Sequence, residues 1–413
     1  MRVLISAYAC EPGKGSEQAV GWNWVLQISR WHEVWVITRS NNQEPIEEIL
    51  GTNPGNIHWV YFDLPRWLRF FKKGGRGLYV YYYLWQVGAY FVAKRLRNEV
   101  KFDLVHHVTF GNFWSPSFVS LLGIPFVWGP VGAGLPAPRT FWKEFSFRGK
   151  LNEWLREVAL FFARIDPFRA MTEDKASLIL AVSSGTKNAF TRASQHKIAL
   201  FSAVGFDSEE IAELDPALSS DSGPFTVLTV GRLVHWKGFA LAIRSFARFH
   251  EAFPDSQHWI VGSGPEKSKL VELVASLGVS DCVHFIGSLS RADYLVRVRT
   301  SNVLLYPSLH QPGAFVIIEA MATCKPVVCL DLGEPALLVN EKTGIKVPAD
   351  SPEQVVSDVA GALDLLAHDP ELCARMGQAG RLRVFEHFRW ETKADSMAEF
   401  YEQAAAKSEP QRS

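Results

Sequence analysis

The sequence predicts an α/β protein made of two Rossmann-like, doubly wound domains, and three observations carry that reading. Short β-branched or aromatic runs alternate with stretches of helical length, the pattern of parallel sheets with crossover helices. The alternation restarts near residue 224. Charge divides at about the same place: residues 1–205 hold 24 Lys and Arg against 15 Asp and Glu, +9, while residues 206–413 hold 19 against 28, −9. A chain of 413 residues is long enough for two domains of about 200.

In the first half the strand candidates are Val3–Ala9, Glu33–Arg39, Ile57–Leu64, Asp103–Phe110, Pro125–Gly129 and Ser177–Ser184. In the second they are Thr226–Leu233, His258–Gly264, Val283–Ser288, Asn302–Ser308, Pro326–Asp331 and Gly344–Ala349. Segments of helical length lie between them, among them Ser245–Phe253, Glu266–Gly278, Arg291–Arg299, Ala314–Cys324 and Ser351–Asp369. The acidic, Ser- and Pro-containing stretch Ser202–Pro224 reads as a linker. The expected division is a first domain over 1–205, a second over 206–390, and a terminal helix with a frayed tail over 391–413 that returns to the first domain. Two such domains facing each other leave a cleft at the carboxyl ends of their strands, where doubly wound sheets bind ligands.

Composition excludes several classes. A chain 47% hydrophobic and 21% charged, without repeats, is neither disordered nor fibrous. Five scattered cysteines without Cys-x-x-Cys spacing argue against a disulfide framework or zinc site and for a reducing, cytoplasmic setting. The opening MRVLISAYAC runs straight into a strand pattern, so no signal peptide is expected. No Asp-x-Asp stands at a strand end, and no metal is expected. Nothing points to nucleic acid.

Two segments carry the chemistry. The strand at Thr226 runs into GRLVHWKG, Gly231 to Gly238, which places Arg232 and Lys237 just past a strand end between glycines. Arg holds a phosphate bidentately and Lys adds a mobile point charge; the plainer reading is a pair of surface cations. The strand at His258 ends in Gly262-Ser263-Gly264, where glycine lets backbone approach a ligand. The stretch HQPGAFVIIEAM, His310 to Met321, reads as a loop and a helix whose N-terminal N–H groups suit a phosphate. Glu319, about one turn into that helix, can accept two hydrogen bonds from a vicinal diol such as a ribose. Alone, it reads equally as a structural acid.

In this order and spacing, GRLVHWKG, VGSGP, VHFIGSLS and YPSLHQPGAFVIIEAMATCKPVV resemble the family-4 retaining glycosyltransferases of the GT-B fold. The resemblance covers the C-terminal half and is looser before it. It implies that Arg232 and Lys237 hold the donor diphosphate and stabilise the leaving nucleoside diphosphate. It implies that Glu319, the second glutamate of the family's E-x7-E motif, binds the ribose. Phe285 and Gly287 would contact the base through backbone, Gly313, Ala314 and Phe315 the donor phosphate and sugar, and Gly231 and Gly262 would line the same site. Gly13 and Gly15 match the N-terminal loop that closes on the donor. The family's histidine maps to His106 or His107, of which only one can face the cleft, since strand neighbours point to opposite sides. One position departs: the first glutamate of the motif is Gln311. An amide can bond a sugar hydroxyl but cannot act as a nucleophile, which fits a front-face mechanism in which the departing diphosphate takes the acceptor proton.

The acceptor side is read from the first half. Residues 64–100 pack Arg66, Arg69, Lys72, Lys73 and further cations around Trp67, Trp85, Tyr79, Tyr81, Tyr82 and Tyr83. The uncharged run Leu78–Ala93 is 16 residues long, short of the ~20 needed to span a bilayer. A second basic-aromatic stretch covers residues 140–169. Such segments can lie on an anionic membrane surface, which gives Arg66, Trp67, Arg69, Lys72 and Lys73 a membrane or acceptor role and the protein a peripheral place at the inner face of the membrane. The plainer reading is helices whose aromatics fill a core.

The leading expectation is a retaining glycosyltransferase. It would move a hexose-type sugar from a nucleotide-diphosphate donor, UDP favoured over GDP, to a glycan or lipid-linked saccharide in cell-surface polysaccharide synthesis. A nucleotide-sugar epimerase and a non-catalytic nucleotide- or sugar-binding protein are the alternatives. A dinucleotide oxidoreductase is weaker, because the first loop, CEPGKGSEQ, lacks Gly-x-Gly-x-x-Gly.

Overall fold

A computed structural model describes residues 1–15, 17–51, 55–69, 77–132, 134–207, 223–310 and 314–406. The chain forms two compact units. The first comprises Met1–Gly134, Val158–Ala203 and Trp390–Ser413, and the second comprises Leu135–Glu157 and Val204–Arg389.

The first unit holds a seven-stranded sheet in the order β3-β2-β1-β4-β5-β6-β7. Its strands are β1 (Arg2–Ala7), β2 (Glu33–Arg39), β3 (Ile57–Phe62), β4 (Leu104–Thr109), β5 (Phe126–Val131), β6 (Leu178–Ala181) and β7 (Ile198–Leu200). All pairings are parallel. The central strands β4 and β5 are buried at every residue, as parallel strands covered by helices on both faces must be. Six of these strands are legible as apolar runs. β7 is not, because it has three residues and only Ile198 is buried.

The second unit holds a six-stranded sheet in the order β10-β9-β8-β11-β12-β13. The strands are β8 (Thr226–Val230), β9 (Gln257–Val261), β10 (Val283–Gly287), β11 (Val303–Tyr306), β12 (Val327–Leu330) and β13 (Gly344–Val347). They are parallel throughout and correspond to the six predicted in this half. Each sheet reverses its order once, between β1 and β4 and between β8 and β11, which is the switch point where doubly wound folds bind ligands.

The division of the chain differs from the sequence expectation in one respect. A first domain running unbroken to residue 205 is not what forms, because residues 135–157 belong to the second unit. Ala137, Phe141 and Phe145 are buried in one core cluster with Phe239, Leu241 and Leu270. Arg244 pairs with Glu144 at 2.9 Å. The division falls inside the helix Phe147–Ile165. The terminal helix Trp390–Ala406 belongs to the first unit, where Trp390 packs edge-on to Trp24 at 5.3 Å and Lys393 Nζ donates to Ser202 O at 2.7 Å.

Candidate functional site

Four adjacent strands of the second unit, β10, β9, β8 and β11, present their carboxyl ends together. Past β8 the chain turns at Gly231, past β9 at Gly262, and β10 ends at Gly287. The three turns are stitched by backbone: Gly231 N donates to Val261 O at 3.0 Å and Gly262 N to Gly287 O at 2.8 Å. Gly262 is required here. Its φ is +134°, and a Cβ on it would sit 1.9 Å from Gly231 O, so any side chain would force the two turns apart.

Arg232 is exposed, and among the described residues no hydrogen bond or ion pair engages its guanidinium. Lys237 is half-buried. Its Nζ donates to Tyr306 Oη at 2.8 Å and lies 5.0 Å from the centre of that ring, a cation–π distance. Lys237 thereby ties the loop after β8 to the end of β11 across the switch point. Gly238 starts the helix Phe239–His250 with φ +70°, and a Cβ there would meet Pro307 O at 2.0 Å. The fork of one cation is open, and the other is held on the edge of the same turn.

Glu319 lies in the helix Phe315–Ala322 and is 6% exposed. Arg291 donates to its Oε1, and Tyr294 Oη donates to its Oε2 at 2.5 Å. Burial pushes the Tyr294 hydroxyl well above its ordinary pKa, and the Glu319 charge pushes it further the same way, so the phenol stays a donor. Each carboxylate oxygen accepts one bond and keeps a second lone pair. Glu319 is thus fixed by neighbours and still able to accept from a ligand.

A buried acid that the sequence reading passed over organises the same loops. Glu153 is fully buried, in the part of helix Phe147–Ile165 that belongs to the second unit. His235 Nε2 lies 3.1 Å from its carboxylate, His310 Nε2 3.0 Å, and Ala137 N 2.9 Å. Burial opposes the Glu153 charge, but the bonds from His235 and His310 outweigh it and hold the carboxyl well below the usual range. Burial lowers the His310 pKa, partly offset by the bond to Glu153, so the imidazole donates as the neutral ring. His310 also stacks on Trp236 at 5.1 Å, and Leu309 N donates to Trp236 O at 2.8 Å. The loop carrying Arg232 and Lys237 and the segment leading to residue 311 are therefore joined through one anion. The only sequence signal was a pair of histidines inside GRLVHWKG and YPSLHQPG.

Comparison with known proteins now adds to this geometry. The profile of the family "Glycosyl transferases group 1" matches residues 210–383. Those residues, most of the second unit, are similar to the group 1 glycosyl transferases. Glycogen synthase of Mycobacterium tuberculosis (strain CDC 1551 / Oshkosh) is 29% identical over 182 residues, 44% of this chain and 43% of that protein. The chain thus spans less than half of that relative. Among solved structures, Anabaena Alr3699/HepE in complex with UDP and glucose aligns at TM-score 0.62 and 18% identity, over 97% of this chain and 99% of that one. The lipopolysaccharide outer core galactosyltransferase WaaB in its apo form aligns at TM-score 0.64 and 16% identity, over 97% and 100%. At these identities the likeness establishes the fold, which is GT-B.

Within the matched residues, Gly231, Arg232, Lys237, Gly262 and Gly287 gather at the strand ends described above. Phe285 packs its ring on the core and leaves its backbone, in β10, for any contact. Ala314 is fully buried and Phe315 partly so, both against the core behind the helix. Gln311 and Gly313 lie outside the described residues. Outside the matched residues, Gly13 and Gly15 lie exposed in the turn after β1.

The first unit buries both histidines of β4, so the expected choice between an inward and an outward ring does not arise. His106 Nδ1 lies 2.6 Å from Tyr401 Oη and its Nε2 2.6 Å from Gly129 O. His107 Nε2 lies 3.1 Å from Tyr82 Oη and its Nδ1 2.9 Å from Ser117 Oγ. Burial lowers the pKa of His106 to about 4 and of His107 to about 3. A strand covered on both faces gives neither ring a solvent side, and both nitrogens of each are engaged. Arg66 and Trp67 are exposed, and Arg69 pairs with Asp63 at 3.2 Å. Lys72 and Lys73 lie outside the described residues.

Proposed function

We propose that the protein is a retaining glycosyltransferase that moves a hexose-type sugar from a nucleoside-diphosphate sugar, UDP before GDP, to a hydroxyl of a glycan or lipid-linked saccharide. The observation that carries the reading is the placement of Arg232 and Lys237 just past the end of β8, and of Glu319 in the helix that follows β11, within the residues that match the group 1 model. The two cations face the charge that builds on the departing diphosphate, and Glu319 takes the ribose hydroxyls. Stabilising a leaving group with fixed cations removes barrier without a covalent intermediate. The sugar's anomeric bond to the diphosphate breaks, the acceptor oxygen attacks the same face, and its proton passes to the leaving phosphate. Arg232, Lys237 and the N-terminus of helix Phe315–Ala322 offset the diphosphate charge, so the reaction runs without a metal. UDP is preferred on its frequency in the family. Membrane-presented acceptors and a cytoplasmic place belong to the same reading. Among the described residues no helix is long and apolar enough to cross a membrane.

A thermal-shift series with UDP, GDP, ADP and NAD tests it. A ligand bound only by the folded state stabilises it by ~2.7 kcal/mol at a hundredfold excess over its dissociation constant. A shift with UDP or GDP alone supports the reading. A shift with NAD alone refutes it, and conversion of the donor sugar without any acceptor assigns the epimerase instead.

A further inference from the structure

The helix Phe147–Ile165 has two opposed faces. Glu153, Leu160 and Ala163 are buried. Phe147, Leu151, Trp154, Phe161, Phe162 and Ile165 fall on the other side at spacings of four, three, seven, one and three. At about 100° per residue these six share one arc. All six are exposed, with Phe147, Phe161, Phe162 and Ile165 at 60–81%. An ordinary amphipathic helix turns its apolar stripe to the core; this one buries a second stripe and shows the larger one to solvent. A contiguous exposed patch of this kind marks an interaction surface.

The charges beside the stripe decide what covers it. Arg148 and Lys150 border it on either side and are exposed, as is Arg164. Glu157, on the same helix, is taken by Arg139 through two bonds of 2.8 and 2.7 Å, and Asp166, past the end of the helix, caps the next one by accepting from Phe168 N, so the flanks of the stripe are cationic. The contrast within the chain is direct. In helix Leu78–Glu99, the sequence's first candidate for a membrane face, Tyr81, Tyr82 and Trp85 are buried in the core.

We propose that the exposed face of helix Phe147–Ile165 docks on an anionic lipid bilayer, with Trp154, Phe161 and Phe162 in the acyl–headgroup boundary and Arg148 and Lys150 among the phosphates. A Phe- and Trp-rich stripe with a basic border is the composition of helices that lie in that plane. A second copy of the chain on this face would oppose like-charged rims. The inference deepens the acceptor reading above by naming the surface that presents the acceptor.

Flotation with phosphatidylcholine vesicles, with and without phosphatidylglycerol, tests it. The protein is expected to float with the mixed vesicles at low salt, less at high salt, and weakly with pure phosphatidylcholine. The triple variant Trp154→Glu/Phe161→Glu/Phe162→Glu should lose bound fraction about tenfold or more, since each aromatic forfeits its buried area. Arg148→Glu/Lys150→Glu should lose the preference for the mixed vesicles. Both variants should keep the wild-type unfolding midpoint, because the substituted groups are exposed. Equal flotation of the triple variant overturns the proposal. So does a soluble dimer, seen by light scattering, that the triple variant converts to monomer while the wild type ignores vesicles. No sugar donor is present, so failure to float leaves the transferase reading standing, and failure to transfer sugar leaves the docking face standing.

Discussion

Glu153 and His310 meet at 3.0 Å in the interior of the second unit, and through that bond one buried anion reaches the segment leading to residue 311 as well as the loop of Arg232 and Lys237. The carboxylate meets three converging donors with two oxygens, whereas an amide has one acceptor oxygen, with two lone pairs, for the three. Glu153→Gln should therefore loosen both loops. A stability loss of about 1–3 kcal/mol follows from the donors left unmet, together with about tenfold weaker UDP binding if 1.4 kcal/mol of that preorganisation is felt at the site. Urea unfolding and UDP titration check this. Unchanged UDP affinity in a destabilised variant would reduce Glu153 to a structural acid.

Arg232 and Lys237 are expected to separate in their effects. Arg232 is exposed, so Arg232→Ala should leave the unfolding midpoint near wild type and lower turnover by about 10²–10³-fold, the usual loss on removing one fixed stabiliser of transition-state charge. Lys237→Ala removes a similar charge and also the bond to Tyr306 at 2.8 Å, so some stability should go with the turnover. Tyr306→Phe is the control, since it keeps the ring under the ammonium and loses only the hydroxyl. Wild-type turnover in Arg232→Ala would remove the diphosphate assignment.

Tyr294 and Arg291 hold Glu319 in place. Tyr294→Phe takes one donor from a buried carboxylate, a loss of about 1.5–3 kcal/mol for a bond to a charged group. The same change should weaken UDP more than it weakens uridine-free pyrophosphate, because the ribose contact is the one disturbed. Parallel titrations read the difference, and equal losses for both ligands would exclude Glu319 from the ribose.

What the sequence showed follows from periodicity. Buried parallel strands of four to seven residues announce themselves as apolar runs, and twelve of the thirteen were legible; β7, with a single buried residue, had no run to read. The positions of Arg232, Lys237 and Glu319 near the switch point were legible because each follows a recognisable strand, while their roles came only from the resemblance. Glu153 was not, since it is one acid in an amphipathic helix, and its partners are 82 and 157 residues away. The two basic-aromatic stretches show the same limit. Residues 64–100 and 140–169 have the same basic-aromatic composition, and only packing tells that Tyr82 and Trp85 fill a core while Phe161 and Phe162 do not.

The buried histidines make acid stability a measurable consequence. His106, His107 and His258 are buried and their folded-state pKa values lie at about 4, 3 and 3, in each case chiefly through burial. The unfolded chain binds a proton on each near pH 6.5, so between about pH 6.5 and 4 the unfolded state carries more protons than the folded one. Stability is full above about pH 6.5 and falls as the pH drops through that window. At 1.36 kcal/mol per pKa unit, each ring accounts for about 3 kcal/mol or more by the lower end. His106→Gln deletes one titration, and its urea midpoint should fall less steeply between about pH 6.5 and 4 than the wild type's, by about one proton in the linkage slope. An identical slope would mean that His106 is already protonated in the folded protein, which its short contacts to Gly129 O and Tyr401 Oη would then have to satisfy as two donated bonds.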